Sequence, residues 1–269
     1  MSMLKPILLF GALLAWLPAA ASTQCTAASG EYRVPLLELY TSEGCDSCPP
    51  ADRWLSGLPA KGYLPDRVVA LAFHVDYWNY LGWVDRFAQQ RFSERQRQIA
   101  ARNQSRVVYT PQFTLNGKDY RRSPFRDDFG EKIAALGQRK PQARLHLEVD
   151  LSPGAVMVSA QANIPDAGER PLAQTWLALY ENQLASEIGA GENRGKRLLH
   201  DYVVRDLTGP FAPDAQGRVL LKHRFAVDTL WKLQNLSVAA FVQNARTGDV
   251  LQALATHCTS ATRPAAASR

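Results

Sequence analysis

The chain has 269 residues, 46% hydrophobic and 21% charged, proportions that exclude wholesale disorder. Its net charge is +6 and the basic residues are scattered, so charge alone does not argue for a nucleic-acid partner. Four cysteines are too few for a disulfide scaffold, which leaves a hydrophobic core to hold the fold.

Residues 1–21 read as a cleaved signal peptide. Lys5 supplies the positive region, residues 7–17 an apolar run too short to span a bilayer, and Ala19-Ala20-Ala21 the small residues of a cleavage site. The expected mature protein is periplasmic or secreted, has no membrane span, and keeps its cysteines in an oxidising compartment.

Next comes an alternation of apolar strands and helical stretches. Residues 34–40 predict a buried strand, 49–58 a helix, and 68–73 a second buried strand. Residues 85–103, with Val84 just before them and Ala88, Phe92 and Ile99 along the same side, predict a second helix. Its arginines 86, 91, 95, 97, 102 and 106 read as a solvated face. A short strand at 112–115 runs into Asn116-Gly117, the dipeptide of a two-residue hairpin. Phe125, Phe129, Ile133 and Leu136 then repeat at helical spacing, with Pro124 at the start and Gly137 at the end.

After Lys140-Pro141 the texture becomes all-β. Apolar alternation at 145–151, 175–180, 198–204, 219–225, 236–243 and 250–255 predicts antiparallel strands, with turn signals such as Gly209-Pro210 and Thr247-Gly248-Asp249 between them. The expected organisation is an α/β domain over 22–140, a mixed sheet flanked by helices. A sandwich-like β-rich domain over 141–258 and a flexible tail over 259–269 complete it.

The chemistry sits at Cys45-Asp46-Ser47-Cys48. A C-x-x-C after a strand and at the start of a helix suits redox work, because free N–H groups and the positive end of the helix dipole favour a thiolate. Cys45 is the better placed nucleophile and Cys48 the resolving thiol. Asp46 works against the thiolate through its negative charge. Metal binding and an inert disulfide remain as other readings of the pair. Zinc would want four ligands, whereas Cu(I) accepts two thiolates, with His74 as a third ligand or simply a packed histidine. Residues 76–83, dense in aromatics, either line a substrate groove or form a packed loop.

These motifs carry a resemblance. Leu39-Tyr40-Thr41 followed by Cys45-x-x-Cys48, with Thr110-Pro111 far downstream, resembles the thioredoxin and glutaredoxin superfamily. More specifically, residues 38–45, 48–52, 74–78 and 109–112 are similar to a bacterial family of secreted thioredoxin-like proteins catalogued as a domain of unknown function. The similarity extends through 191–195 and 200–205. It implies a thioredoxin-like domain with an appended β-domain. It also implies a substrate-positioning role for Thr110 and a cis Pro111, and a proton-shuttling role for the buried Glu38. Structural pairing is an equal alternative for Glu38, since a carboxylate in an apolar strand needs a partner.

The reading is an exported thiol-disulfide oxidoreductase with Cys45, Cys48, Thr110, Pro111 and Glu38 at its site and no organic cofactor. Its partners would be a protein or small thiol/disulfide substrate and an electron-donor or acceptor protein, with no nucleic acid. A periplasmic Cu(I) metallochaperone using Cys45, Cys48 and His74, or a non-catalytic binding module, are the alternatives. Cys25 and Cys258, one near each end of the mature chain, are expected to form a structural disulfide.

Overall fold

The computed structural model describes residues 23–122, 127–256 and 258. The expected signal peptide, the tail over 259–269, and Pro124 and Phe125 at the start of the third expected helix lie outside the described residues.

The chain opens with strands β1 (Thr23–Ala28) and β2 (Leu36–Thr41), helix α1 (Pro49–Ser56), strand β3 (Val69–His74) and helix α2 (Gln90–Arg102). Strands β4 (Gln112–Leu115) and β5 (Lys118–Tyr120) and helix α3 (Phe129–Gly137) follow. The remainder is strands: β6 (Arg144–Ser152), β7 (Ala155–Asn163), β8 (Ala173–Glu181), β9 (Leu184–Glu187), β10 (Arg197–His200), β11 (Val203–Phe211), β12 (Arg218–Ala226), β13 (Leu236–Asn244) and β14 (Val250–Ala255). Asn116 and Gly117 form the β4–β5 turn with φ of 53° and 80°, the conformation that dipeptide favours. The second helix starts five residues later than the pattern predicts. Asp85 accepts the Phe87 N–H at 2.9 Å, and an extended Gln89 separates that turn from α2.

An α/β thioredoxin-like domain followed by a separate sandwich is not what forms. Eight strands make one sheet in the order β14-β13-β8-β11-β3-β2-β4-β5, so strands from both halves of the chain share it. The junction is narrow: β11 runs parallel to β3 with Val203 opposite Ala72, and the Ala72 N–H donates to the Tyr202 carbonyl at 2.8 Å. All six residues of β3 are buried, so its outer edge cannot turn to water and β11 supplies backbone partners instead. The sequence run over 198–204 looked like one strand, yet it breaks at Tyr202, whose φ is 61°. The piece before the break pairs with β9, and the piece after it pairs with both β8 and β3.

A second sheet, β1-β6-β7-β12, is antiparallel throughout. Its apolar side, including Leu147, Val158 and Phe225, shares one core with Leu177 and Leu179 of β8 and Val238 and Ala240 of β13. The alternate residues of those strands, Ala178, Tyr180, Ala239 and Phe241, point the other way and pack with Leu71 and Phe73 of β3 and Phe92 and Ile99 of α2. A third core joins Leu37 and Leu39 of β2 to α1 and α3 through Leu55, Phe129 and Ile133. Burial on both faces explains why β3 reads as an apolar run up to His74 and β2 as one interrupted only by Glu38 and Thr41. Cys25 on β1 and Cys258 beyond β14 are disulfide-bonded, with Cα atoms 5.4 Å apart. Among the described residues no helix is long and apolar enough to cross a membrane.

Candidate functional site

Cys45 and Cys48 form a disulfide at the entrance to α1, with Cα atoms 5.4 Å apart. Cys48 is the N-cap and Pro49 and Pro50 occupy the first two helical positions. Prolines there cost little in folding, but they also remove two of the N–H groups that a helix start offers. The next two, on Ala51 and Asp52, both donate to the Cys48 carbonyl, at 2.8 and 3.2 Å. The expected backbone donors for a thiolate are thus absent or occupied. The nearest donor is a side chain, the Ser47 hydroxyl, 3.4 Å from Cys45 Sγ. Cys45 retains 2% exposure and Cys48 none, and the turn residues Asp46 and Ser47 are exposed above them.

The turn is held from two sides. Asn193 donates to the carbonyls of Glu43 and Cys45 at 2.8 and 2.9 Å, and the Glu192 carboxylate accepts the Asp46 N–H at 3.2 Å. On the other side Trp78 lies against Gly44, where a Cβ would come within 3.1 Å of the tryptophan Cβ. Trp78 also donates to Thr110 Oγ1 at 2.7 Å, which links the aromatic loop to the Thr110–Pro111 peptide. That peptide is cis. Gln96 of α2 fixes the same segment by donating to the Tyr109 carbonyl and to Gln112, each at 2.8 Å.

A groove of about 560 Å³ runs beside this turn, between Ser47, Pro50 and Ala51 on one wall and Val107, Tyr109 and Pro111 on the other. Phe113 and Tyr120 complete it with the exposed guanidinium groups of Arg121 and Arg122. The aromatic loop over 76–83 is therefore not the groove wall. Tyr77 donates to Gln96 at 3.0 Å and Trp83 to Glu43 at 2.8 Å, so the polar tips of the loop serve packing.

Glu38 is fully buried and bound to Arg95 at 2.8 Å, with Tyr40 and Thr114 donating at 3.2 and 3.1 Å. No cysteine is among its hydrogen-bond partners, and Arg95 is not part of a solvated face. The arginine is 5% exposed and lies over the rings of Phe73, Trp176 and Phe241.

His74 turns toward a second polar cluster that lay unassembled in the sequence. Its Nδ1 is 2.6 Å from Asp85, and its ring meets that of His200 edge-on with centroids 5.0 Å apart. His200 Nε2 lies 3.3 Å from Glu43 and its Nδ1 lies 3.6 Å from Asp52. Asp52 in turn accepts the Thr41 hydroxyl at 2.9 Å, and Asp85 accepts the Glu43 N–H at 2.9 Å. All five residues are at most 5% exposed. Burial alone would lower the His200 pKa, but contact with Asp52 and Glu43 overcomes it and pushes the value up to about 9. Burial raises the Asp85 carboxyl, and the His74 ring together with the Glu43 and Phe87 N–H groups more than offsets it, so the net shift is downward.

A family model described as a protein of unknown function, DUF1223, matches residues 36–243. The chain belongs to this family. The match spans the C-x-x-C turn, the cis peptide and the His200 cluster. No curated protein matches. Among solved structures, a protein from Agrobacterium tumefaciens is 24% identical, with a TM-score of 0.58 over 86% of this chain and 97% of that one. HBP35 of Porphyromonas gingivalis is 17% identical, with a TM-score of 0.63 over 90% of this chain and 80% of that one. At such identities the likeness concerns the fold alone.

Proposed function

We propose that this member of the family carries out thiol–disulfide exchange through Cys45 and Cys48. The observation that carries the reading is the position of the pair: a three-residue-spaced disulfide at the mouth of α1, bordering a largely apolar groove. In the reduced protein the Cys45 thiolate attacks a substrate disulfide and forms a mixed disulfide, and the departing substrate sulfur takes up a proton. The Cys48 thiolate then attacks Cys45 Sγ, restores the Cys45–Cys48 bond and releases the second substrate thiol. Two electrons pass to the substrate, and an electron-donor protein must return them.

The surroundings of the sulfurs support one direction. Prolines and occupied amides leave the thiolate few donors, and Asp46 and the Glu192 carboxylate that accepts its N–H place negative charge nearby. An environment that does not favour the thiolate favours the disulfide, which supports reading the pair as a reductant. Two disulfides in one chain accord with an oxidising compartment, the periplasm or the outside of the cell. The groove walls suit an extended apolar segment of a protein substrate, with Arg121 and Arg122 at its rim.

Insulin reduction driven by dithiothreitol tests the proposal. Wild-type protein should accelerate it, Cys45→Ser should abolish the effect, and Cys48→Ser should accumulate a mixed disulfide at Cys45. Equal rates with and without the protein, or a mixed disulfide that forms at Cys48 instead, would reject it.

A further inference from the structure

We infer that Asp52, His74 and His200 form a binding site for one divalent transition-metal ion of the zinc type, beneath the C-x-x-C helix and independent of its redox chemistry. One ligand atom from each residue lies within 4.8 Å of the others, and all three side chains are buried. They come from three separate elements: Asp52 from the first turn of α1, His74 from the end of β3, and His200 from the end of β10.

The hydrogen bonds around the trio decide which atoms face the centre. Asp85 holds His74 Nδ1 at 2.6 Å, which leaves Nε2 as the free donor atom, and that nitrogen has no partner. Glu43 sits 3.3 Å from His200 Nε2, which turns Nδ1 toward Asp52 at 3.6 Å; this nitrogen also lacks a hydrogen bond. Thr41 occupies the outer oxygen of Asp52 and leaves the inner one unused. His74 and Asp52 are each hydrogen-bonded on the far atom and His200 has Glu43 in ion-pair contact there, the kind of outer shell that orients imidazole and carboxylate ligands on a metal.

Charge points the same way. Glu43, Asp52 and Asp85 bring three carboxylates to a place where, among the described residues, no lysine or arginine pairs with any of them. Without a metal only protonated imidazoles can offset these buried charges; a divalent cation would take over that role. Two imidazoles and one carboxylate are a familiar ligand set for zinc, whose bonds of about 2.0–2.1 Å require donor atoms roughly 3.3 Å apart. Small rotations of the three side chains close the remaining difference. An ion so placed would fasten α1 to the sheet and to the β9–β10 hairpin.

The test uses full-length oxidised protein, unfolded in chelator and refolded with Co(II) or Zn(II). One equivalent should remain after gel filtration, and Co(II) should give visible d–d bands without a sulfur charge-transfer band. Excess Zn(II), at about a hundred times Kd, should raise the melting temperature by roughly 5–10 °C. Asp52→Asn, His74→Gln and His200→Gln should each weaken binding at least tenfold, and Asp85→Asn about 10–100-fold with the stoichiometry kept. A Cys45→Ser/Cys48→Ser double variant should bind as wild type does, even if exchange activity is lost or was never present. Substoichiometric metal in the wild type overturns the assignment. So does a sulfur band that vanishes in the cysteine double variant. If a histidine variant does not fold, the wild-type stoichiometry and the Asp85→Asn affinity still decide.

Discussion

Two buried polar clusters flank β2 and β3, and they are built on opposite plans. Around Glu38 one carboxylate meets one guanidinium, and two hydroxyls donate as well, so both of its oxygens are hydrogen-bonded. Three aromatic rings close over Arg95, so the cluster is neutral, saturated and sealed. Around His200 three carboxylates meet two imidazoles, and Glu43 Oε1, His74 Nε2 and both His200 nitrogens lack hydrogen bonds. A saturated cluster has no capacity left for a ligand or a proton in transit. The unsaturated one does, which is why functional chemistry is assigned to the His200 cluster and a packing role to Glu38.

The sharpest way to break this comparison is to remove Arg95. Arg95→Leu strands a buried carboxylate and should cost about 3–5 kcal/mol in urea denaturation of the oxidised protein. Glu38→Leu/Arg95→Leu should recover more than half of that loss, because no uncompensated charge remains. A single-variant loss under about 1 kcal/mol would mean that Glu38 is not locked to the arginine, and would reopen its role as a proton carrier.

A smaller effect is expected in the other cluster. Asp85 accepts from His74, from Glu43 N–H and from Phe87 N–H, and an amide cannot accept at both oxygen positions. Asp85→Asn should therefore cost about 1–3 kcal/mol in metal-free protein. Asp52→Asn keeps the Thr41 hydrogen bond and relieves crowding with the other two carboxylates, which partly offsets the lost contact with His200, so its cost in chelator should stay within about 1 kcal/mol. A loss of several kcal/mol there would show that Asp52 is a fixed structural partner like Glu38. Thermal and urea unfolding of the two variants side by side reads the difference directly.

The sequence disclosed these regions unequally, for physical reasons. Runs such as β3 and the Asn116-Gly117 turn are legible because their signals are local: burial on both faces, or positive φ at two adjacent residues. The merged sheet is not, since it hinges on one backbone pairing of β11 with β3 and on a left-handed Tyr202. Strands β1, β7 and β9 were missed altogether, Ala155–Asn163 because small and polar residues thin its apolar side. Arg95 looked like its neighbours on α2, and nothing local marks it as the one that points inward to Glu38. The ligand trio comes from positions 52, 74 and 200, with no spacing that a motif could capture. A buried carboxylate in the first turn of α1 and a histidine ending an apolar strand were the available signals.

The smallest expected effect concerns Asp46, the solvent-facing end of the acidic side of the site. Its carboxylate is exposed, so water and salt screen its influence on Cys45, in contrast to the buried Glu43 two residues before the cysteine. Removing it should still favour the thiolate, because a neighbouring negative charge opposes ionisation of a thiol. In reduced protein at pH 7 and low salt, Asp46→Gly should speed iodoacetamide alkylation of Cys45 by about two- to threefold. The gain should shrink at 1 M salt, where the screening length falls to about 3 Å. Peptide mapping should place the faster label on Cys45, the pair member that retains some exposure. A gain of the same size at both salt concentrations would point instead to a looser turn, through loss of the Asp46 N–H bond to Glu192, and would shift attention from charge to the backbone of the C-x-x-C.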